Sequence, residues 1–282
     1  MITGATALYG IVGWPVSHSR SPQMQGAAFA AAGLDAVFVA CPAPPETLEA
    51  ALAGAHALGF RGLNVTVPHK EAATRACEAL DEVATRCGAV NTLVRTDTGW
   101  RGTNTDAPAT AELLAAAGVG RGARALLLGA GGAARAAAWA LLSLGAEVGV
   151  AARRTDAAEA LCRDLAGAVV GALVEPVPWD DVEEASRAAA VVVNATSVGL
   201  PGKPGALPPL ALHAGQVACD FVYGDTTFAS LARSAGARLV SGEEILVRQG
   251  ELAFQHWTGR APPAGVMAAA LETGARSPGD LR

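Results

Sequence analysis

The chain has 282 residues, 51% of them hydrophobic and only 17% charged, with a formal net charge of -5 and no basic cluster. That length exceeds most single cores and points to two domains; alanine inflates the apolar fraction, no uninterrupted apolar run is long enough to span a membrane, and the acidic balance argues against nucleic acid as the main partner. Cys41, Cys77, Cys87, Cys162 and Cys219 form no CxxC pair and the five histidines are scattered, which fits reduced buried thiols and offers no metal-ligand spacing.

In chain order, the first basic residue is Arg20, and Gly10, Gly13 and Pro15 interrupt the apolar start. A signal peptide is therefore not expected, and a cytoplasmic location is. "ALYGIVG" reads as a strand, and Ser21 followed by Pro22 starts the helix "SPQMQGAAFAAAG". "AVFVAC" is the next strand, "PETLEAALAGAHALG" the next helix, and "GLNVTV" the third strand. "KEAATRACEAL" reads as a helix with Lys70 in its first turn. "AVNTLVRTDTGWRGTNTD" resembles a hairpin turning at Asp97, Thr98 and Gly99.

After the helix "APATAELLAAAG", with a domain boundary near residues 107 to 122, come "RALLLGAGGAARAAAWALL" and the strands "EVGVAA", "AVVVNA" and "QVACDFV". "GLPGKPGALPP" is a loop. Short β-branched runs alternating with alanine-rich helices, twice over, imply an α/β chain of βαβ units with mostly parallel sheets.

Lys70 raises a question of its own. Basic positions are written as arginine nineteen times, and the only lysines are Lys70 and Lys203. A lysine can release its proton when burial or a neighbouring cation lowers its pKa, whereas a guanidinium cannot. Proton transfer is one reading of Lys70, and a solvated lysine at a helix start is the other.

In "LLLGAGGAARA", Gly129, Gly131 and Ala134 follow the G-x-G-x-x-(G/A) spacing directly after a strand and at the mouth of a helix. The first glycine permits the tight turn, the second lets a diphosphate approach the backbone, and the small third residue lets helix and strand pack closely. Where NAD-binding chains place an acid, at the end of "EVGVAA", this chain has Arg153, Arg154 and Thr155. Two guanidiniums and a hydroxyl suit the 2′-phosphate of NADP. Glu147 lies at the wrong end of that strand to take their place.

The first half carries a second polar set at strand ends: Ser17, Ser19 and Ser21, then Asn64, Thr66 and Lys70, then Asn91, then Asn104 and Asp106. Hydroxyls and amides at the carboxyl ends of strands in an open α/β sheet suit a small hydroxylated or carboxylated ligand.

In these motifs the chain resembles the shikimate dehydrogenase family over nearly its whole length. The similar segments are "GWPVSHSRSP", "GLNVTVPHK", "GAVNT", "GTNTD", "GAGGAARA", "RRT", "NATSVGL", "DFVY" and "LVRQGELAFQHWTG". The resemblance implies an N-terminal open α/β substrate-binding and catalytic domain over residues 1–110. It implies a C-terminal Rossmann-like NADP-binding domain over 111–246, and helices over 247–282 that return to the first domain. By the same resemblance Ser19 and Ser21 would hold a substrate carboxylate, and Thr66, Asn91, Tyr223 and Gln249 would contact its hydroxyls or ring. Lys70 and Asp106 match the catalytic pair. Gly129, Ala130, Gly131, Gly132, Ala133, Arg153, Arg154, Thr155, Phe221 and Gly242 fall at positions that meet NADP, with Glu82 a weaker candidate.

The implied reaction is reversible NADP-dependent oxidation of a ring hydroxyl, shikimate to 3-dehydroshikimate, in aromatic amino acid biosynthesis. Lys70 would exchange the hydroxyl proton or stabilise the developing alkoxide, and Asp106 would orient the hydroxyl. The partner is a small molecule, with no nucleic acid and no membrane, and the chain is a monomer or homodimer. Quinate or aminoshikimate dehydrogenases share these motifs. A methylenetetrahydrofolate dehydrogenase and a non-catalytic NADPH-binding sensor are the other readings. The chain departs from the family at Gln25-Gly26, where His-Asn is usual, at the "APA" after Asp106, and at "YGDTTF" after Val222.

Overall fold

The computed structural model describes residues 2–200 and 205–273, so Lys203 and part of the expected loop "GLPGKPGALPP" lie outside the described residues. The elements run β1 (Ala7–Gly13), α1 (Ser21–Ala31), β2 (Ala36–Pro42), α2 (Leu48–Ala57), β3 (Phe60–Val65), β4 (Ala79–Leu80), α3 (Glu82–Cys87), β5 (Thr92–Arg95) and β6 (Trp100–Thr103). They continue with α4 (Asp106–Ala116), β7 (Arg124–Leu128), α5 (Gly132–Ser143), β8 (Glu147–Ala151), α6 (Thr155–Ala168), β9 (Val174–Pro176) and α7 (Val182–Ala188). Last come β10 (Val191–Asn194), β11 (Val217–Asp220), α8 (Thr227–Ser234), β12 (Arg238–Val240), α9 (Gly242–Thr258) and α10 (Val266–Thr273). The chain divides into two compact units: one holds the chain up to Ala84, Ala89–Thr105 and the chain from Leu246, and the other holds Thr85–Gly88 and Asp106–Ile245.

In the first unit the strands lie in the order β2-β1-β3-β5-β6-β4. The core strands β1, β2 and β3 are parallel, while the expected hairpin adds β5 and β6 antiparallel. Apolar side chains leave β1 alternately on both faces, as a doubly covered sheet requires. Val12 joins Leu52, Leu63, Leu93 and Trp100 on one side, and Tyr9 and Ile11 join Met24, Phe29 and Phe254 on the other. The second cluster shows how the last helices return to this unit. Phe29 and Phe254 rings sit 5.4 Å apart, Tyr9 and Trp257 5.3 Å, and Met267 and Leu271 of α10 close the same cluster against α1.

The helix expected over "KEAATRACEAL" does not form. A short 3-10 turn at Ala72–Ala76 is followed by β4, which pairs with β6. Glu78 N–H donates to Trp100 O at 3.0 Å and Asp81 N–H to Gly102 O at 3.1 Å. These sheet bonds draw the segment into extended backbone, and tertiary pairing overrides the helix propensity of its alanines.

In the second unit the order is β12-β11-β10-β7-β8-β9, every pair parallel. The strand order reverses between β7 and β10, and ligands of open α/β sheets bind at the carboxyl ends of strands beside such a reversal. The core is built from Leu127, Val150, Val193 and Cys219 of neighbouring strands with Ala134, Ala137, Ala138 and Leu141 of α5. The alanine-rich face of α5 lets it pack closely on the sheet. Among the described residues no helix is long and apolar enough to cross a membrane.

Candidate active site

The serine loop follows β1. Trp14 N–H donates to Val67 O at 3.0 Å and Thr66 N–H to Val12 O at 2.9 Å, which sets this loop beside the carboxyl end of β3. Ser19 is half-buried, and its Oγ accepts from Ser21 N–H at 3.3 Å. Helix α1 begins at Ser21 with Pro22 in its first turn, as the sequence leads one to expect, and Arg20 flanks it without a side-chain cap. Gln25 is fully buried, and its Nε2 donates to Gly250 O at 2.9 Å, tying α1 to the turn of α9 that carries Gln249. Gln249 is itself buried and donates from Nε2 to Leu246 O at 2.8 Å.

Below the end of β3 lies a buried polar network. Asn91 Oδ1 accepts from Thr105 N–H at 2.7 Å and from Thr92 Oγ1 at 3.0 Å, and Nδ2 donates to Thr105 Oγ1 at 2.9 Å. Asn64 Nδ2 donates to Asn91 O at 3.2 Å and Thr92 Oγ1 at 3.1 Å, while its Oδ1 finds no hydrogen-bond partner among the described residues. A buried acceptor left unmet costs about 1–3 kcal/mol, so this oxygen suits a ligand hydroxyl. Sequence reading placed Asn64 in the polar set but gave it no role; its spacing of two from Thr66 on one strand face was the available signal.

Val90 N–H donates to Lys70 O at 2.8 Å and Val65 N–H to Asn91 O at 2.8 Å, so the backbones carrying Lys70, Thr66 and Asn91 are stitched together. The Lys70 side chain is half-buried. Asn104 turns inward, donating to Ala89 O at 2.9 Å, which marks a structural duty for that amide. Ser19, Ser21, Thr66, Lys70, Asn91 and Gln249 all belong to the first unit. Glu82 is exposed at the start of α3, and Ser17 is exposed in the serine loop.

The second unit holds Asp106, Tyr223 and the residues expected to meet a nucleotide. Asp106 opens α4 and is buried. Gly129 ends β7 with φ +113°, a region side chains avoid, and a Cβ there would sit 2.8 Å from Ala195 O. Gly131 flanks the start of α5, and a Cβ on it would meet nothing within 4 Å. Packing therefore explains Gly129 but not Gly131, and the open space before the α5 N-terminus fits a diphosphate. Gly129 N–H donates to Ala151 O at 2.8 Å, which joins this turn to the end of β8, where Arg153, Arg154 and Thr155 are exposed at the start of α6. Among the described residues neither guanidinium is engaged in an ion pair, and such a pair suits a phosphate monoester.

Phe221 and Tyr223 follow β11 on a segment held by Asp220. Asp220 Oδ1 accepts from Asn194 Nδ2 at 2.9 Å and Val222 N–H at 3.1 Å, and Oδ2 accepts from Thr226 Oγ1. Burial raises the Asp220 pKa above the ordinary carboxylate value, and these donors pull it partway back. Gly242 serves this segment too, since a Cβ there would lie 2.6 Å from the backbone of Val222 and Tyr223. Sequence reading missed Asp220 and Asn194, whose signal was a carboxylate and an amide closing two apolar strands.

All five cysteines are free thiols. Burial pushes Cys77 and Cys162 up to about 11 and raises Cys219 as well, so thiolate nucleophiles are disfavoured. Among the described residues no group of three or more His, Cys, Asp or Glu could hold a metal ion.

Residues 11–93 match the family model described as "Shikimate dehydrogenase substrate binding domain", and residues 242–272 match "Shikimate 5'-dehydrogenase C-terminal domain". A shikimate dehydrogenase (NADP(+)) of Anaeromyxobacter sp. (strain K) is 66% identical over 272 residues, covering 96% of this chain and 98% of the relative. A crystal structure of a shikimate dehydrogenase in complex with NADP+ superposes with a TM-score of 0.89 at 33% identity, covering 98% of each chain. The shikimate 5-dehydrogenase of Thermus thermophilus in complex with NADP(H) and shikimate gives a TM-score of 0.79 at 37% identity, over 94% of this chain and 99% of that one.

Proposed function

The chain belongs to the shikimate dehydrogenase family, and from that premise we infer that its two units divide one reaction between them, the reversible NADPH-dependent reduction of 3-dehydroshikimate to shikimate. It is an NADP-dependent oxidoreductase acting on a CH–OH group, and the named reaction belongs to aromatic amino acid biosynthesis. The observation that carries the cofactor assignment in this chain is the Arg153-Arg154-Thr155 end of β8 beside the open turn at Gly131.

The first unit is the substrate-binding and catalytic domain. Ser19 and Ser21 hold the substrate carboxylate, and Thr66, Asn91, Tyr223 and Gln249 meet its hydroxyls or ring. Asn64 Oδ1 adds an acceptor for a hydroxyl proton, because no donor among the described residues meets it. The second unit is the NADP-binding domain. The turn at Gly129 lets the chain come close to the diphosphate, the amides of Ala130, Gly131, Gly132 and Ala133 hold it, Arg153, Arg154 and Thr155 meet the 2′-phosphate, and Phe221 and Gly242 border the nicotinamide.

Bound NADP(H) supplies or accepts the hydride. Lys70 takes the hydroxyl proton in oxidation and returns it in reduction, and Asp106 orients the reacting hydroxyl. The side chain is held for this task because its own backbone is pinned by Val90. The chain acts in the cytoplasm as a monomer or homodimer, which size-exclusion chromatography with light scattering resolves.

The test is Lys70→Arg. Retained charge without ready proton release lowers kcat by about 100-fold or more, with the KM for shikimate within about threefold of wild type because uniform binding is kept. Near-normal turnover in a folded variant overturns the role.

A further inference from the structure

We propose that Asp220 and Glu243 clamp the segment from Phe221 to Thr226 and thereby position the nicotinamide end of NADP(H), which makes them positioning residues for the reaction. The inference rests on the NADP-binding reading of the second unit and goes beyond it by assigning a role to two residues that reading leaves out.

Strand order supplies the direction. The glycine turn for the diphosphate follows β7, and the arginine pair for the 2′-phosphate follows β8 on one side of it. A dinucleotide anchored at both points extends its other end to the opposite side, over the segments that follow β10 and β11. Those are the two segments that Asp220 and Asn194 tie together.

The ties reach both ends of the segment. Asp220 is 1% exposed, and its carboxylate accepts from Asn194 on β10, from Val222 N–H and from Thr226 Oγ1. Thr226 Oγ1 in turn accepts from Ala229 N–H at 2.9 Å and caps α8. Asn194 Oδ1 accepts from Thr196 N–H at 3.2 Å and Oγ1 at 2.7 Å, so the segment after β10 joins the same network. Between those ends Glu243 Oε1 accepts from Gly224 N–H at 2.7 Å, and the backbone of Val222 and Tyr223 packs so closely on Gly242 that a Cβ there would lie 2.6 Å from it. A buried carboxylate is costly unless fully hydrogen-bonded. An amide of the same size could accept from some of these donors but would place its own N–H₂ against another, so a group with two acceptor oxygens suits the site.

The test compares wild type, Asp220→Asn and Glu243→Ala in calorimetric titrations with NADPH and with 2′,5′-ADP, which carries the 2′-phosphate but no nicotinamide. Asp220→Asn weakens NADPH about tenfold and Glu243→Ala about threefold, as expected for lost hydrogen bonds to a charged acceptor, and 2′,5′-ADP stays within about twofold. Unchanged NADPH affinity in the folded variants, or equal weakening of both ligands, overturns the clamp. If Asp220→Asn does not fold, Glu243→Ala, a change in the first turn of α9, decides alone. A wild-type chain that binds neither ligand overturns the cofactor reading, and the clamp with it, while wild-type binding with unaltered variants overturns the clamp only.

Discussion

At the scale of single residues, the chain shows two ways of keeping an ionisable group where its chemistry is needed. Lys70 is half-buried at the end of β3, on backbone fixed by Val90, and is one of two lysines in a chain that otherwise uses arginine. Asp220 is sealed in and held by neutral donors. Its folded pKa lies above the unfolded value because burial outweighs those donors. The folded chain therefore binds this proton more readily than the unfolded chain. The stability that Asp220 contributes is complete below the unfolded carboxylate value of about 3.9 and is lost as pH rises through the folded value. The wild-type advantage over Asp220→Asn should accordingly shrink as pH rises from about 3.9 toward neutrality in urea unfolding, and an advantage that grows over that interval would contradict the assignment.

At the scale of elements, two segments carry separable predictions. The turn between β8 and α6 presents Arg153 and Arg154 with exposed side chains, so their loss should spare the fold. The Arg153→Ala, Arg154→Ala double variant raises the KM for NADP by about 10- to 100-fold through lost charge-assisted bonds. Its KM for NAD moves little, so the ratio of the two reports the 2′-phosphate contact; an unchanged ratio removes these arginines from the cofactor. Helix α9 fastens the returning chain to β1 and α1 through fully buried Phe254. Phe254→Ala should cost about 3–5 kcal/mol of stability in urea unfolding. A loss below about 1 kcal/mol would mean that the core collapses around the gap or that α9 adds little.

At the scale of the whole molecule, the alternation of strands and helices in both units was legible because periodic signals were strong and local. Residues 191–193 and 125–128 are continuous apolar runs, as strands buried on both faces must be. The glycine turn and the arginines after β8 were legible for the same reason. The three-residue strands β9 and β12 and the two-residue β4 were not, since so few residues hold no period and exist only by pairing with a neighbour. Segment 70–80 was misread because its alanines favour helix locally while its backbone bonds lie about 20 residues away at Trp100 and Gly102. Asn64 and Asp220 escaped assignment because an unmet acceptor and a set of converging donors become visible only in three dimensions. The central claim joins a substrate unit to an NADP unit in one chain. Initial rates with shikimate and quinate, each against NADP and NAD, test it most directly: the highest kcat/KM should belong to shikimate with NADP, and a preference for quinate or for NAD would contradict the account.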